Sequence, residues 1–293
     1  MAEEAPVPCR LWVLPARAAS AEVIFRRGPS KWVELIRWDT CADAFEEGQW
    51  FHGRIYEHRC DVSPDGSLLV YFASKFSKKT LKDPEYTYAW MAISRPPWLT
   101  ALALWPKGDC WHGGGLFFDA HKVWLNHHPD KAVPHPHHRP HGLRVIPNPD
   151  AHGEGFPVLD RRMRHAGWTT VQDLDCEWRG GRWVVDAPEI RRKARPGGSF
   201  VLEMRLVAMD FAVPGGPWVF RFAIRDAASH GETLLSGATW ADWDQQGRLV
   251  YAVGGRLFAA EVSPDVGIVA HELADFNACR PERREAPEWA RHW

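Results

Sequence analysis

The sequence predicts an all-β fold: a β-propeller of five blades, with six short blades as the alternative, in one domain over residues 1–293. Three observations carry that expectation. Apolar residues recur with period two in run after run, Gly-rich turns separate the runs, and turn-centred hairpins return at intervals too regular for an unrepeated sheet.

Along the chain, Glu22-Val23-Ile24-Phe25 and Trp32-Val33-Glu34-Leu35-Ile36 flank a turn at Gly28-Pro29-Ser30. Cys60-Asp61-Val62 turns through Ser63-Pro64-Asp65-Gly66 into Leu68-Leu69-Val70-Tyr71-Phe72. Proline presets the first turn dihedral and glycine accepts positive φ, so Pro-Asp-Gly specifies a turn by mechanism. Glu177-Trp178-Arg179 turns through Gly180-Gly181 into Arg182-Trp183-Val184-Val185. The clearest hairpin is 199–226. Phe200, Leu202, Met204, Leu206 and Ala208 alternate with Glu203 and Arg205, and after Val213–Pro217 the pattern resumes as Trp218, Phe220, Phe222 and Ile224 against Arg221 and Arg225. Trp240–Trp243 turns through Asp244-Gln245-Gln246-Gly247 into Leu249–Val253, and Gly254-Gly255 leads into Leu257–Ala260. Hairpin centres fall near 65, 119, 180 and 246, spaced by 54, 61 and 66 residues, which with the strands before residue 50 gives five sheets with long inserts.

Asp61-Val62-Ser63-Pro64-Asp65-Gly66-Ser67-Leu68-Leu69-Val70-Tyr71-Phe72 resembles the Ser-Pro-Asp-Gly repeat of TolB-like, WD40-like β-propellers. Leu35-Ile36-Arg37-Trp38-Asp39-Thr40, followed by Ala44–Gly48, is similar to the turn between the third and fourth strands of WD repeats. The match covers about a quarter of the chain; 114–126 and 175–186 lack Ser-Pro-Asp-Gly, and Trp243-Asp244 stands in a different register. What the resemblance implies is a fold, because such propellers serve as scaffolds, receptors and enzymes alike.

Composition narrows the function classes. Net charge is −1, from 36 Lys+Arg and 37 Asp+Glu, where binding nucleic acid through phosphates calls for a basic face, so no nucleic-acid partner is expected. The one dense basic run, Arg191-Arg192-Lys193-Ala194-Arg195, is expected in a solvated loop. No apolar stretch is long enough to span a membrane as a helix. Six cysteines lie far apart, and the acidic Met1–Pro6 segment is unlike a leader peptide; a cytoplasmic location with free thiols is expected, with removal of a leader as the alternative. The 17 tryptophans are expected to supply core or contact area.

Residues 127–170 form the irregular insertion, with seven prolines between 129 and 157 and eight histidines. A short helix is expected at 157–166, with Leu159 and Met163 on one face, and another helical turn between Pro281 and Trp293. His127, His128, His135, His137, His138 and His141 are the metal-ligating candidates, but His-Pro alternation keeps the chain extended and no cysteine pair completes a tetrahedral site. A solvated loop that picks up metal adventitiously is the expectation, with no cofactor. His112-Gly113-Gly114-Gly115 resembles an esterase oxyanion loop, but no Gly-x-Ser-x-Gly elbow follows, leaving a tight lead-in to the strand at Leu116. His271-Glu272 lacks the second zinc-protease histidine, Asp275 standing there. Asp175 and Asp242, each beside tryptophan, are expected on the first strand of a repeat, where they could meet at the axis as an acid–base pair for sugar hydrolysis.

No complete catalytic signature emerges. The expected function is therefore a non-catalytic module binding a protein partner, through residues 127–156. The alternative is an enzyme using the propeller's central cavity, a glycoside hydrolase or a metal-dependent hydrolase.

Overall fold

The computed structural model describes residues 8–209, 218–226 and 231–293. Alternating side chains separated by tight turns fold these residues into sheets that are antiparallel but for one pair, with one α-helix among them. Blade one contains β1 (Arg10–Pro15), β2 (Ala21–Arg27), β3 (Trp32–Asp39) and β4 (Ala44–His52), hydrogen-bonded in that order. Asp39 closes the β3–β4 turn by accepting from the backbone amides of Cys41 and Ala42.

Blade two contains β5 (Arg54–Ile55), β6 (Asp61–Val62), β7 (Leu69–Ser74), β8 (Ala89–Ser94) and β9 (Ala103–Pro106). Its turn works as the Ser-Pro-Asp-Gly chemistry predicts. Asp65 Oδ1 accepts from Ser63 Oγ and Ser67 N, Ser63 Oγ accepts from Leu68 N, and Gly66 has φ +75° with Ala21 Cβ only 2.7 Å from where its own Cβ would stand. The apolar run behind the turn is buried on both faces, with Val70 and Phe72 packed among Met91, Ile93, Trp105 and Phe117.

Blade three is short: β10 (Gly115–Asp119), β11 (Lys122–Leu125) and β12 (Arg144–Pro147), the last pairing parallel to β11. The helix α1 (Phe156–His165) covers this sheet, with Val158 packed against Leu116 and Trp124. Leu159 and Met163 are buried on it, as their spacing predicts.

Blade four is ordered β13 (Thr169–Gln172), β16 (Glu189–Ala194), β17 (Phe200–Met209), β18 (Trp218–Asp226) and β19 (Glu232–Leu234). A separate two-stranded ribbon, β14 (Asp175–Arg179) and β15 (Arg182–Ala187), is inserted between β13 and β16. Its two-residue turn, Gly180-Gly181, has φ of +57° and +80°, the double positive φ that matches strand twist in a tight hairpin. The expected turn at Val213–Pro217 lies outside the described residues. Blade five contains β20 (Ala238–Trp243), β21 (Leu249–Val253), β22 (Arg256–Ser263) and β23 (Gly267–Asp275), in sequence order. The fold among the described residues is thus all-β, of the β-propeller class, with five blades.

Packing divides the chain into two compact units, one of residues 1–12 and 163–278 and the other of residues 13–162 and 279–293. In the second, the C-terminal segment lies along blade one. Arg284 reaches Glu34 at 3.3 Å and also pairs with Glu47, while Gln49 donates to the Arg284 carbonyl. Glu34 is fully buried, and that burial, reinforced by the neighbouring Glu47 carboxylate, pushes its carboxyl up to about 7 against the pull of Arg284. A raised carboxyl favours the fold while protonated and costs stability as pH rises from about 4.5 through 7. Glu34→Gln is therefore expected to be the more stable protein at pH 8, by on the order of 1–3 kcal/mol, and to converge with the parent near pH 4. Urea titrations across that range check it; parallel curves for the two proteins would refute the assignment.

Two expectations need correction. The basic run at 191–195 is not a solvated loop. It runs into β16, where Arg191 is buried against Glu189 at 2.7 Å and Lys193 pairs with Asp242 at 2.6 Å. Arg195, just beyond, donates to the carbonyls of Gly247 and Val262. Arg191 finds its carboxylate two residues away on the same strand, whereas the sheet brings Lys193 and Arg195 to partners far away in sequence. Nor is the histidine-rich stretch loose. His135 N donates to the Leu104 carbonyl and Leu104 N to the His138 carbonyl, so the stretch extends blade two along β9.

Candidate binding face

Strand register sorts the blade-four side chains onto two faces. Residues directly opposite one another in an antiparallel pair project to the same side. One side carries Leu202, Met204, Leu206, Phe222 and Ile224 and is buried. On the other, β16 sets Arg192 opposite Glu203, β18 sets Arg221 opposite Arg205, and β19 sets Glu232 opposite Arg225.

Glu203 is the centre of that second face. Its carboxylate accepts from Arg192 Nε at 2.7 Å and Arg205 Nε at 2.6 Å, and pairs with Arg225 Nε at 2.7 Å. Burial alone would raise this carboxyl, but the hydrogen bonds from Arg192 and Arg205 outweigh it and hold it below the ordinary value. The guanidiniums roof the carboxylate: Glu203 has no exposed side-chain surface, whereas Arg192, Arg205 and Arg225 are 41%, 24% and 34% exposed. Glu232 pairs with both Arg205 and Arg225. Arg221 is exposed and makes no hydrogen bond or ion pair among the described residues. Three guanidiniums therefore share two carboxylates and a fourth, Arg221, stands beside them, leaving this face net positive.

The ribbon adds aromatic surface to the same blade, its strand β15 lying against β17. Trp178 and Trp183 are cross-strand partners, packed edge to face at 5.7 Å between ring centroids. They remain 58% and 36% exposed. An isolated two-stranded ribbon is marginal in water, and docking a partner on this pair would bury the part of each ring still exposed, a fraction of the roughly 150–250 Å² that an aromatic side chain hides when fully buried.

The other candidates have other employments. His127 is buried with no hydrogen-bond partner on either ring nitrogen; that burial, with the Lys107 ammonium nearby, pushes it down to about 4 and keeps it neutral. His135 is buried with Nε2 3.0 Å from Glu85 and its ring stacked on Tyr86. His138 lies 3.2 Å from the Ala101 carbonyl through Nδ1, while His137 and His141 are exposed. Among the described residues no three His, Cys, Asp or Glu side chains converge to hold a metal ion. Asp175 is not on a blade's first strand; it is exposed at the foot of the ribbon, opposite Ala187. Asp242 is buried on β20, engaged with Lys193 and the Trp243 amide. The two acids thus occupy different sheets and unlike settings.

His112-Gly113-Gly114-Gly115 is a packing device. Gly114 has φ +91°, and a Cβ there would stand 2.5 Å from the Arg59 carbonyl oxygen. All six cysteines are free thiols. No helix among the described residues is long and apolar enough to cross a membrane. The arginine face was missed in sequence, although its signal, Glu203 and Arg205 on one strand and Arg221 and Arg225 on the next, is visible there as alternation; the register that groups them is not. Compared with known proteins, the chain matches no family model and no curated relative.

Proposed function

We propose that this chain is a non-catalytic interaction module that binds a protein partner through blade four and its ribbon. The observation that carries the reading is the exposed Trp178–Trp183 pair, held on a tightly turned ribbon beside an arginine-rich sheet face. Tryptophan and arginine are the residue types in which binding energy concentrates, and a short, tight hairpin limits the ordering entropy lost on docking. The contact moves from residues 127–156, because parts of that stretch are buried or bonded to β9. Kinship with TolB-like or WD40-like propellers belongs to the same reading and is supported by the hydrogen-bonded Ser63–Gly66 turn and the five blades. A reducing, cytoplasmic setting is supported by the six free thiols.

The test is a partner recovered by crosslinking to the wild-type chain and then titrated calorimetrically. Trp178→Ala/Trp183→Ala is expected to weaken that complex by roughly 10- to 100-fold while shifting the melting temperature little, since the two rings pack on each other at the tip of a ribbon and lie outside the buried core. Equal affinity for the double variant would sink the reading.

A further inference from the structure

Blade four's outer face has an unbalanced charge that folding does not use. Arg192, Arg205 and Arg225 are already committed to Glu203 and Glu232, which fix their planes and lower the entropy of recruiting them to a second acceptor. Arg221 stands beside them on β18, exposed and without a hydrogen bond or ion pair among the described residues. Its strand neighbours on this face recur every second residue, at about 7 Å, the interval at which an extended peptide presents alternate side chains.

We propose that this face binds an extended acidic segment of a protein partner, its carboxylates seated on Arg221 and on the outer edges of Arg192, Arg205 and Arg225. The inference rests on the interaction-module reading and names the partner's chemistry. Guanidinium forks match carboxylates bidentately, and charge complementarity sets the register of such a contact. A single-stranded nucleic acid fits less well. It needs a groove that neutralises successive phosphates beside open aromatic platforms, whereas here two carboxylates interrupt the arginines and the ribbon tryptophans pack against each other.

The probe is a fluorescent peptide of alternating glutamate and threonine, titrated by anisotropy into the full chain at low and at high salt. The glutamine–threonine counterpart and a single-stranded oligodeoxynucleotide serve as comparisons. The wild-type chain is expected to bind the acidic peptide at low salt and lose it at high salt, with neither comparison binding as tightly. Arg221→Glu is expected to weaken binding at least about tenfold, and Arg221→Lys to weaken it less, keeping the charge but losing the fork. Arg221 has no partner to lose among the described residues, so unchanged melting is the control on folding.

Failure of the wild-type chain to bind the acidic peptide, undiminished binding by Arg221→Glu, or tighter binding of the oligonucleotide would each overturn the proposal. The module reading is tested separately, on the crosslinked partner and the tryptophan variant. If Arg221→Glu binds the peptide normally while the tryptophan variant still loses its partner, the acidic chemistry is wrong and the module stands.

Discussion

Arg59→Ala is expected to cost the fold about 3–5 kcal/mol, among the largest effects of any single substitution in the second unit. Arg59 is buried, yet its guanidinium donates to the Cys110 and His112 carbonyls at 2.8 Å each and pairs with Glu154 at 3.0 Å. It also lies over the rings of Tyr56 and Phe72, at 4.7 and 5.0 Å. Alanine would leave two carbonyls without a donor and a void beneath two aromatic rings, both of which are costly. Arg59→Lys should recover less than half, because one ammonium cannot replace a planar fork that serves two carbonyls and a carboxylate at once. Denaturant melts of the three proteins measure this; a loss below about 1 kcal/mol for the alanine variant would show that the loop at 110–114 finds other donors.

Glu203→Gln is the second large effect, at about 2–4 kcal/mol. The amide keeps the shape of the carboxylate but removes the negative charge shared by Arg192, Arg205 and Arg225. The pH dependence fixes the cause. Because the Glu203 carboxyl sits below its ordinary value in the fold, its contribution is complete above about pH 4.5 and fades as acid titrates it. The gap between parent and variant should be widest near neutrality and narrow in acid, and added salt should shrink it. A gap that stayed constant from pH 7 to strong acid would mean that packing, and not charge, sets the loss.

Much of the architecture was legible because strand and turn signals are local. Val23 to Phe25, Leu69 to Phe72 and Leu249 to Val253 declare themselves by composition, and the turns at 63–66, 180–181 and 254–255 by residues able to take the needed dihedrals. The five-sheet arithmetic nevertheless used the 180–181 turn as a blade centre, when it belongs to the inserted ribbon. Both a ribbon and a blade strand alternate, so periodicity could not separate them. A second Ser263-Pro264-Asp265 turn, joining β22 to β23, was also passed over.

The site was much less legible. Whether Arg191 faces inward and Arg192 outward depends on which strands lie beside them, and the carboxylates that meet Arg192 and Lys193, Glu203 and Asp242, come from other strands. The histidines misled for the same reason. His135 reads as a solvated ligand until Glu85 and Tyr86 are brought beside it.

The ribbon leaves and rejoins blade four at neighbouring points. β13 pairs directly with β16 across the gap, with Thr169 opposite Arg192, and Gln172 Nε2 donates to the Pro188 carbonyl at 2.7 Å to clasp the two ends. Residues 173–187 are thereby a loop closed at its base, so their length and composition are uncoupled from the sheet's own hydrogen bonding. Selection, or an engineer, can exchange that protruding finger for another and retune what the protein grips while the frame beneath stays the same.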